Sequence, residues 1–209
     1  MNNIELLNIL KRLLICFFVF SGITAMSQDY VTSDNFKLKL IKAKKASGST
    51  WEYTIKTSKQ TKKAQVRLRL KSSTGKKESF DPNKFYLVSN EAKVRVRPLD
   101  VRYNYAAGWI FIPFDRLAYN PIDAQKVKDL VSYDPDIEDT FQNYGLDGFE
   151  NISPEINFGT KKKPKVIPSY LEPEDLKSCK LDLYFALPKE LKNFEIYHGD
   201  EKIANVTLK

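Results

Sequence analysis

Apolar and polar residues alternate one by one in several separate segments of this chain. Such alternation sends successive side chains to opposite faces of a strand, so that one face can enter a core and the other meets water. Buried parallel strands would instead show continuous apolar runs. The alternating segments, which predict antiparallel strands, are 36–40, 51–56, 66–71, 94–97, 181–187 (ending before a proline) and 194–197.

Short turns containing glycine and serine separate these segments. The turn at 198–200 is predicted to join 194–197 to 203–208 as a hairpin. Because seven or more short strands occur without crossover helices, the sequence predicts an all-β fold, an antiparallel β-sandwich. His198 lies in the predicted turn, where we expect an exposed histidine without a catalytic role.

One stretch departs from strand periodicity. Asn120 suits a helix N-cap, Pro121 the first helical position and Asp123 the first turn, and apolar residues then recur on one face. These features predict a helix over about 121–132. Residues 134–168 follow as a long, proline-containing excursion whose aromatic side chains favour packing. We therefore expect a helix-containing insertion at about 115–168.

The N-terminal segment is typical of a secretory signal. Lys11 and Arg12 precede an eight-residue apolar run at 13–20, and Ala25 and Ser27 place small residues before a cleavage point. The run is too short to span a hydrocarbon core of roughly 30 Å. We expect 1–27 to be removed, leaving 28–209 as one exported domain, periplasmic or secreted, with no transmembrane segment.

Composition narrows the classes of function. The chain has 209 residues, a formal net charge of +8, one histidine and two cysteines. A single histidine argues against sites built from several imidazoles. Cleavage after residue 27 would remove Cys16 and leave Cys179 alone, so no internal disulfide could form. Cys179 is predicted to be a small packing residue rather than a nucleophile.

Charge is segregated along the chain. Between residues 37 and 77 there are fourteen Lys and Arg residues and one acid, and between 115 and 155 there are ten acids and three bases. One interpretation is that the acidic excursion lies near the basic strands and offsets their field. The other is that the molecule exposes two patches of opposite sign.

Two segments carry a family resemblance. Residues 183–190, in which Phe185 and Pro188 form a Phe-x-x-Pro stop, are followed by a final hairpin, and 80–88 contains a Phe-Tyr-Leu strand. Together they resemble a family of small exported bacterial immunoglobulin-like domains, mostly of unknown function. The resemblance implies an immunoglobulin-like sandwich and an exported protein, and it implies no reaction.

Five cations form the candidate polyanion site. Arg67, Arg69 and Lys71 share one face of a predicted strand, and Arg95 and Arg97 share one face of another. If those strands are neighbours, the five would line a flat surface suited to phosphate or sulfate groups. The alternative is that they are ordinary outward residues that discourage edge pairing.

Acidic residues offer weaker candidates. Residues 134–139 alternate carboxylates, which suits calcium, but Pro135 restricts the segment and it lacks a glycine for a sharp turn. Paired carboxylates could also serve a hydrolase, although no spacing predicts that geometry. No phosphate loop, nucleophile elbow or dinucleotide motif is present in the sequence, so neither catalytic residues nor a metal or cofactor are predicted.

These observations favour a non-enzymatic binding or structural module of the bacterial cell envelope. The first hypothesis is a protein-interaction module that contacts an envelope protein through the excursion and the sheet edges. The second is a domain that binds a polyanion, an anionic glycan or a lipid head group. The third is a carboxylate-dependent hydrolase. Export and the lack of a recognised module argue against nucleic acid as a partner.

Overall fold

The structure, a computed structural model, describes residues 29–46, 61–105, 110–118, 132–133, 147–152, 155–157, 162–163, 166–168 and 170–208. Within these ranges the strands are β1 (Val31–Ser33), β2 (Phe36–Lys45), β3 (Thr61–Ser72), β4 (Glu78–Phe80), β5 (Phe85–Ser89), β6 (Val94–Val96), β7 (Asp100–Tyr105), β8 (Ile112–Pro113), β9 (Leu117–Ala118), β10 (Ser132–Tyr133), β11 (Glu150–Ile152), β12 (Glu155–Asn157), β13 (Val166–Pro168), β14 (Glu174–Leu176), β15 (Ser178–Pro188), β16 (Asn193–His198) and β17 (Glu201–Thr207). A single 3₁₀ turn, Pro82–Lys84, precedes β5.

Two larger sheets organise the described residues. The first has six strands in the order β1-β2-β3-β15-β7-β8, and every neighbouring pair in it is antiparallel. The second has the order β11-β6-β5-β16-β17 and is antiparallel except for the short β11–β6 pair. The prediction of a largely antiparallel, all-β fold is confirmed.

The inner faces of both sheets contribute to one apolar core. Leu68 of β3 and Leu183 of β15 come from the first sheet, and Leu87 of β5 and Ile196 of β16 come from the second; none of them has measurable exposure. A sandwich buries its core in this way, because each strand turns every second side chain toward the other sheet. The immunoglobulin-like relationship of this arrangement stays a prediction.

The alternating segments became strands as their pattern predicted. The segments 36–40, 66–71, 181–187 and 194–197 lie within β2, β3, β15 and β16. The hairpin between β16 and β17 is also confirmed, and Gly199 has a φ of +57°, a left-handed conformation that favours glycine. Pro188, predicted to stop its strand, is the last residue of β15.

Several other predictions lie outside the described residues. These are the signal segment 1–27, the strand at 51–56, the acidic run 134–139 and residues 121–131 of the predicted helix; Ser132, its last residue, lies in β10, paired with β9. No helix in the described part of the chain has the length and apolar character needed to cross a bilayer.

His198 corrects a prediction, because its side chain is fully buried rather than exposed. Its ring stacks on Phe80 with centroids 5.1 Å apart and meets Phe85 edge-on at 4.7 Å. Nε2 lies 3.1 Å from the carbonyl oxygen of Asp81, which can only accept, so Nε2 donates. Nδ1 lies 2.7 Å from Ser33 Oγ, whose one hydroxyl hydrogen is shared between Nδ1 and the backbone oxygen of His198 at 3.0 Å. The histidine therefore joins the hairpin to β1 from inside the core.

Candidate anion-binding face

The five predicted cations do not form one surface on neighbouring strands. Arg67, Arg69 and Lys71 lie on β3 of the six-stranded sheet, whereas Arg95 lies on β6 of the five-stranded sheet and Arg97 directly follows it. The assumption that these two strands are neighbours was therefore wrong. Polyanion binding itself is a separate question, and it depends on what surrounds each cation.

Arg95 is buried within its own sheet. It pairs with Val88 of β5, and its guanidinium lies 4.5 Å from the centre of the Tyr86 ring. A cation on an aromatic face is held by the ring quadrupole, and this one is 7% exposed. Arg95 is thus a packing residue, and Arg97 beside it is half-buried.

Arg67 is neutralised by an acid on the adjacent strand. Its Nε and Nη2 donate to the two oxygens of Asp182 at 2.6 and 2.7 Å, a two-pronged geometry that also receives Gln65 Nε2 at 2.6 Å. The hydrogen bond to Asp182 raises the pKa of Arg67. Because Asp182 is 1% exposed, this pair belongs to the framework of the sheet.

The remaining cations of β3 meet further cations on both neighbouring strands. Arg69 is the direct partner of Lys39 on β2 and of Lys180 on β15. Two residues further along β3, Lys71 is the direct partner of Lys37 and of Ser178. We define the basic face as a set of outward-facing cations on these three strands: Lys37, Lys39, Lys42, Lys44, Arg69, Lys71 and Lys180.

Strand alternation explains why these side chains share one side. Leu38, Leu70 and Leu181, which lie between the cations, are fully buried in the core. On β2 the register shifts between Leu40 and Lys42, a bulge that adds one residue. After it, Lys42 and Lys44 still face outward opposite Arg67 and Gln65.

The closely spaced cations of the basic face carry an electrostatic cost. Like charges directly opposite each other on an antiparallel pair are about 5 Å apart at Cβ and destabilise the sheet. Within the described ranges, no ion pair involves Lys37, Arg69, Lys71 or Lys180. An anion bound on this face would remove the repulsion between these cations. Two residues along β15 from Lys180, Asp182 already does this for Arg67.

Tyr30 positions two of these cations. The ammonium groups of Lys71 and Lys39 lie 5.2 and 5.6 Å from the centre of its ring. Since both distances are within the range of cation–π attraction, the ring holds the two lysines at the same end of the face. Tyr30 directly precedes β1.

A depression lies at this end of the basic face. It has a volume of about 270 Å³ and is lined by Arg69, Lys71, Ser178, Cys179 and Lys180. Three of these residues bring a positive charge and Ser178 brings a hydroxyl, so the depression offers donors to an oxyanion.

Sequence patterns missed the lysines contributed by β2 and β15. Alternation at 36–40 already indicated that Lys37 and Lys39 share a face, but not that β2 lies beside β3. Lys180 stands in a segment far along the chain, and only the register of β15 with β3 places it opposite Arg69.

Other chemical candidates are buried or outside the described ranges. Cys179 is 3% exposed and part of the core cluster, as predicted, and burial raises its pKa to about 12. Its thiol is therefore protonated at neutral pH and unsuited to nucleophilic attack. The described residues contain no group of three or more His, Cys, Asp or Glu side chains able to hold a metal.

Comparisons with family models, with curated proteins and with solved structures find no match for this chain. We therefore infer the function of the chain from the basic face and its surroundings.

Proposed function

We propose that this chain is a non-enzymatic binding module that holds an anionic glycan, phosphorylated or sulfated, on the basic face. The observation that carries the proposal is the row Lys39–Arg69–Lys180, three like charges in direct register across three strands. Such a row costs stability in the free protein and gains it when an anion bridges the cations.

The placement of acids on the same sheet supports this function. The neighbouring row contains Asp182, which pairs with Arg67, and β7 contains Asp100, which pairs with Arg102. The cations beside Asp182 and Asp100 are therefore neutralised, whereas the basic face keeps its positive charge. An even distribution would be typical of a surface that serves solubility alone.

Export supports a glycan over nucleic acid as the ligand. The signal segment predicted at 1–27 would bring the protein to an envelope, and the anionic polymers there are glycans and lipids. Lipid head groups present similar charges and form the main alternative source of anions.

The other two hypotheses rest on segments that the structure describes little or not at all. The protein-interaction hypothesis depends on the sheet edges and on 134–168, of which only short pieces are described. The hydrolase hypothesis depends on acids in 134–139, which lie outside the described residues. The basic face, in contrast, is described on all three strands.

The proposal predicts salt-dependent binding that charge reversal on β2 weakens. We expect the purified chain to bind sulfated dextran and phosphorylated mannan, to ignore uncharged dextran and to lose affinity steeply as salt rises. The double variant Lys37→Glu, Lys39→Glu should weaken binding at least tenfold, since charge-assisted contacts contribute about 1.5–3 kcal/mol each and the loss of one is already worth about tenfold. Fluorescence anisotropy of labelled polymer measures both effects.

A matched control separates the basic face from net charge. Lys189 and Lys192 are exposed near the other end of β15, about 30 Å from Lys180 along the strand. Lys189→Glu, Lys192→Glu makes the same charge change and should leave affinity nearly unchanged. Equal losses in both variants, or equal binding of uncharged dextran, would contradict the proposal. Arg67 is unsuitable for this test, because reversing it would place two acids against each other.

A further inference from the structure

We infer that the depression on the basic face is a subsite for one terminal phosphate monoester of the ligand. We call this the phosphate subsite and define it by Arg69, Lys71, Ser178 and Lys180, which line the depression. The inference rests on the proposed function and adds to it: the basic face attracts any polyanion, and the phosphate subsite selects the chemical group that is bound most tightly.

The register places four donors at the corners of a small rectangle. Arg69 is opposite Lys180, and Lys71 is opposite Ser178. The rectangle is about 5 Å across the strands and about 7 Å along them. None of the four side chains is an acceptor only, so a group at the centre meets a donor at every corner.

A tetrahedral oxyanion matches this arrangement better than a carboxylate does. A phosphate monoester has three terminal oxygens and a charge between about −1.5 and −2 at neutral pH, whereas a carboxylate has two oxygens and a single charge. The guanidinium of Arg69 can bind two oxygens as a fork, and the lysines and the serine hydroxyl can reach the third. Three cations then face a dianion.

The dimensions favour one substituent over a length of polymer. Sites that enclose whole small ligands usually measure about 300–1,000 Å³, and this open depression measures about 270 Å³. A phosphate with part of its sugar fits that space, while the rest of a chain would extend along β2 past Lys39 and Lys42. A terminal phosphate is therefore the expected occupant.

The subsite lies on the longest strand pairing of the six-stranded sheet. β3 and β15 are its two longest paired strands, with 12 and 11 residues. Leu70, Cys179 and Leu181 anchor them from beneath, since each is buried in the core. Lys71 is held further by the ring of Tyr30. Donors fixed before binding lose less entropy when the ligand arrives.

The test compares single groups that differ in chemistry at one position. Purified chain is titrated with a hexose 6-phosphate, with hexuronic acid and with neutral hexose, following backbone amide shifts of β3 and β15 by NMR. We expect the sugar phosphate to bind at least tenfold more tightly than the uronic acid, with shifts centred on 69–71 and 178–180. Equal affinities of the phosphate and the carboxylate would overturn the subsite.

Variants distinguish the subsite from the basic face. Ser178→Ala removes a donor of the subsite and no charge; it should weaken hexose 6-phosphate about fivefold and leave polygalacturonate, a carboxylate polymer, within about twofold of the unmodified chain. Arg69→Lys keeps the charge but removes the fork and should also weaken the phosphate. If Ser178→Ala weakens polygalacturonate as strongly as the phosphate, the subsite is wrong while the proposed function stands. If Lys37→Glu, Lys39→Glu changes nothing, the proposed function fails.

Two further measurements identify whether the bound phosphate comes from a sugar or a lipid and what charge it carries. Vesicles with phosphatidic acid carry a phosphate monoester, and vesicles with phosphatidylglycerol carry a diester. Preference for the monoester vesicles over the sugar phosphate would support the subsite with a lipid as its source, and equal binding of both vesicles would contradict it. Phosphate affinity should also fall as the pH drops through about 6, where the monoester loses a charge, while affinity for a sugar sulfate should stay constant.

Discussion

Replacing Asp100 with asparagine is expected to lower the free energy of unfolding by about 3–5 kcal/mol. The carboxylate has no measurable exposure and accepts from Arg102 Nε at 2.7 Å and from Arg116 Nη2 at 3.0 Å. Asparagine keeps the size but removes the charge that faces two buried guanidinium groups. Urea denaturation at neutral pH, followed by circular dichroism, measures the loss.

A control acid shows whether burial is the cause. Asp175 on β14 is exposed, and Asp175→Asn should change the free energy of unfolding by less than about 0.5 kcal/mol. A loss below about 1 kcal/mol for Asp100→Asn would mean that water or other groups compensate the two arginines. The acid also explains why β7 adds no positive charge to the basic face, since Arg102 is paired there.

Sequence patterns predicted the strands but not the order in which they lie side by side. Alternation is a local property, and every segment from 36–40 to 194–197 that the structure describes became a strand. Neighbours are set by contacts between residues far apart in the chain, such as Lys39 and Arg69 with Lys180. A candidate site that assumed two strands to be neighbours therefore could be only partly right: Arg69 and Lys71 belong to the basic face, and Arg95 does not.

Two residues of β15 show that a small change in pairing register decides which cation of β3 meets an acid. Lys180 and Asp182 both face outward, two positions apart, opposite Arg69 and Arg67 respectively. A register shifted by two residues would place Asp182 opposite Arg69, which it would neutralise, and Lys180 opposite Lys71. Since register depends on the whole length of the pairing, no motif around Arg69 alone could have identified it as the cation that lacks an acid.

The burial of His198, in contrast, could have been predicted from the sequence. Phe194, Ile196 and His198 are two residues apart on β16, and all three are buried. The period of two therefore extends through the histidine, although the adjacent Gly199 suggests an exposed turn. The backbone turns after the ring has already entered the core, where Ser33 and the carbonyl of Asp81 satisfy both nitrogens.

The burial of this histidine predicts that acid destabilises the fold. Burial lowers the pKa of His198 from 6.5 to about 4, so the unfolded chain takes up a proton at a pH where the folded chain does not. The stabilisation is fully present above pH 6.5 and is lost as the pH falls from there through about 4. The difference corresponds to about 3 kcal/mol of unfolding free energy.

The single histidine of the chain makes this loss measurable. Its Hε1 resonance should titrate near pH 4 in the folded protein and near 6.5 in urea, and a folded-state pKa close to 6.5 would contradict the prediction. In His198→Gln the free energy of unfolding should be lower at neutral pH, because the stacking on Phe80 is lost, but it should decline less between pH 6.5 and 4 than in the unmodified chain. The two proteins have the same carboxylates and differ only at residue 198, so the difference between the two slopes is assigned to the imidazole. Acid would thus weaken the link between β1 and the hairpin from within the core.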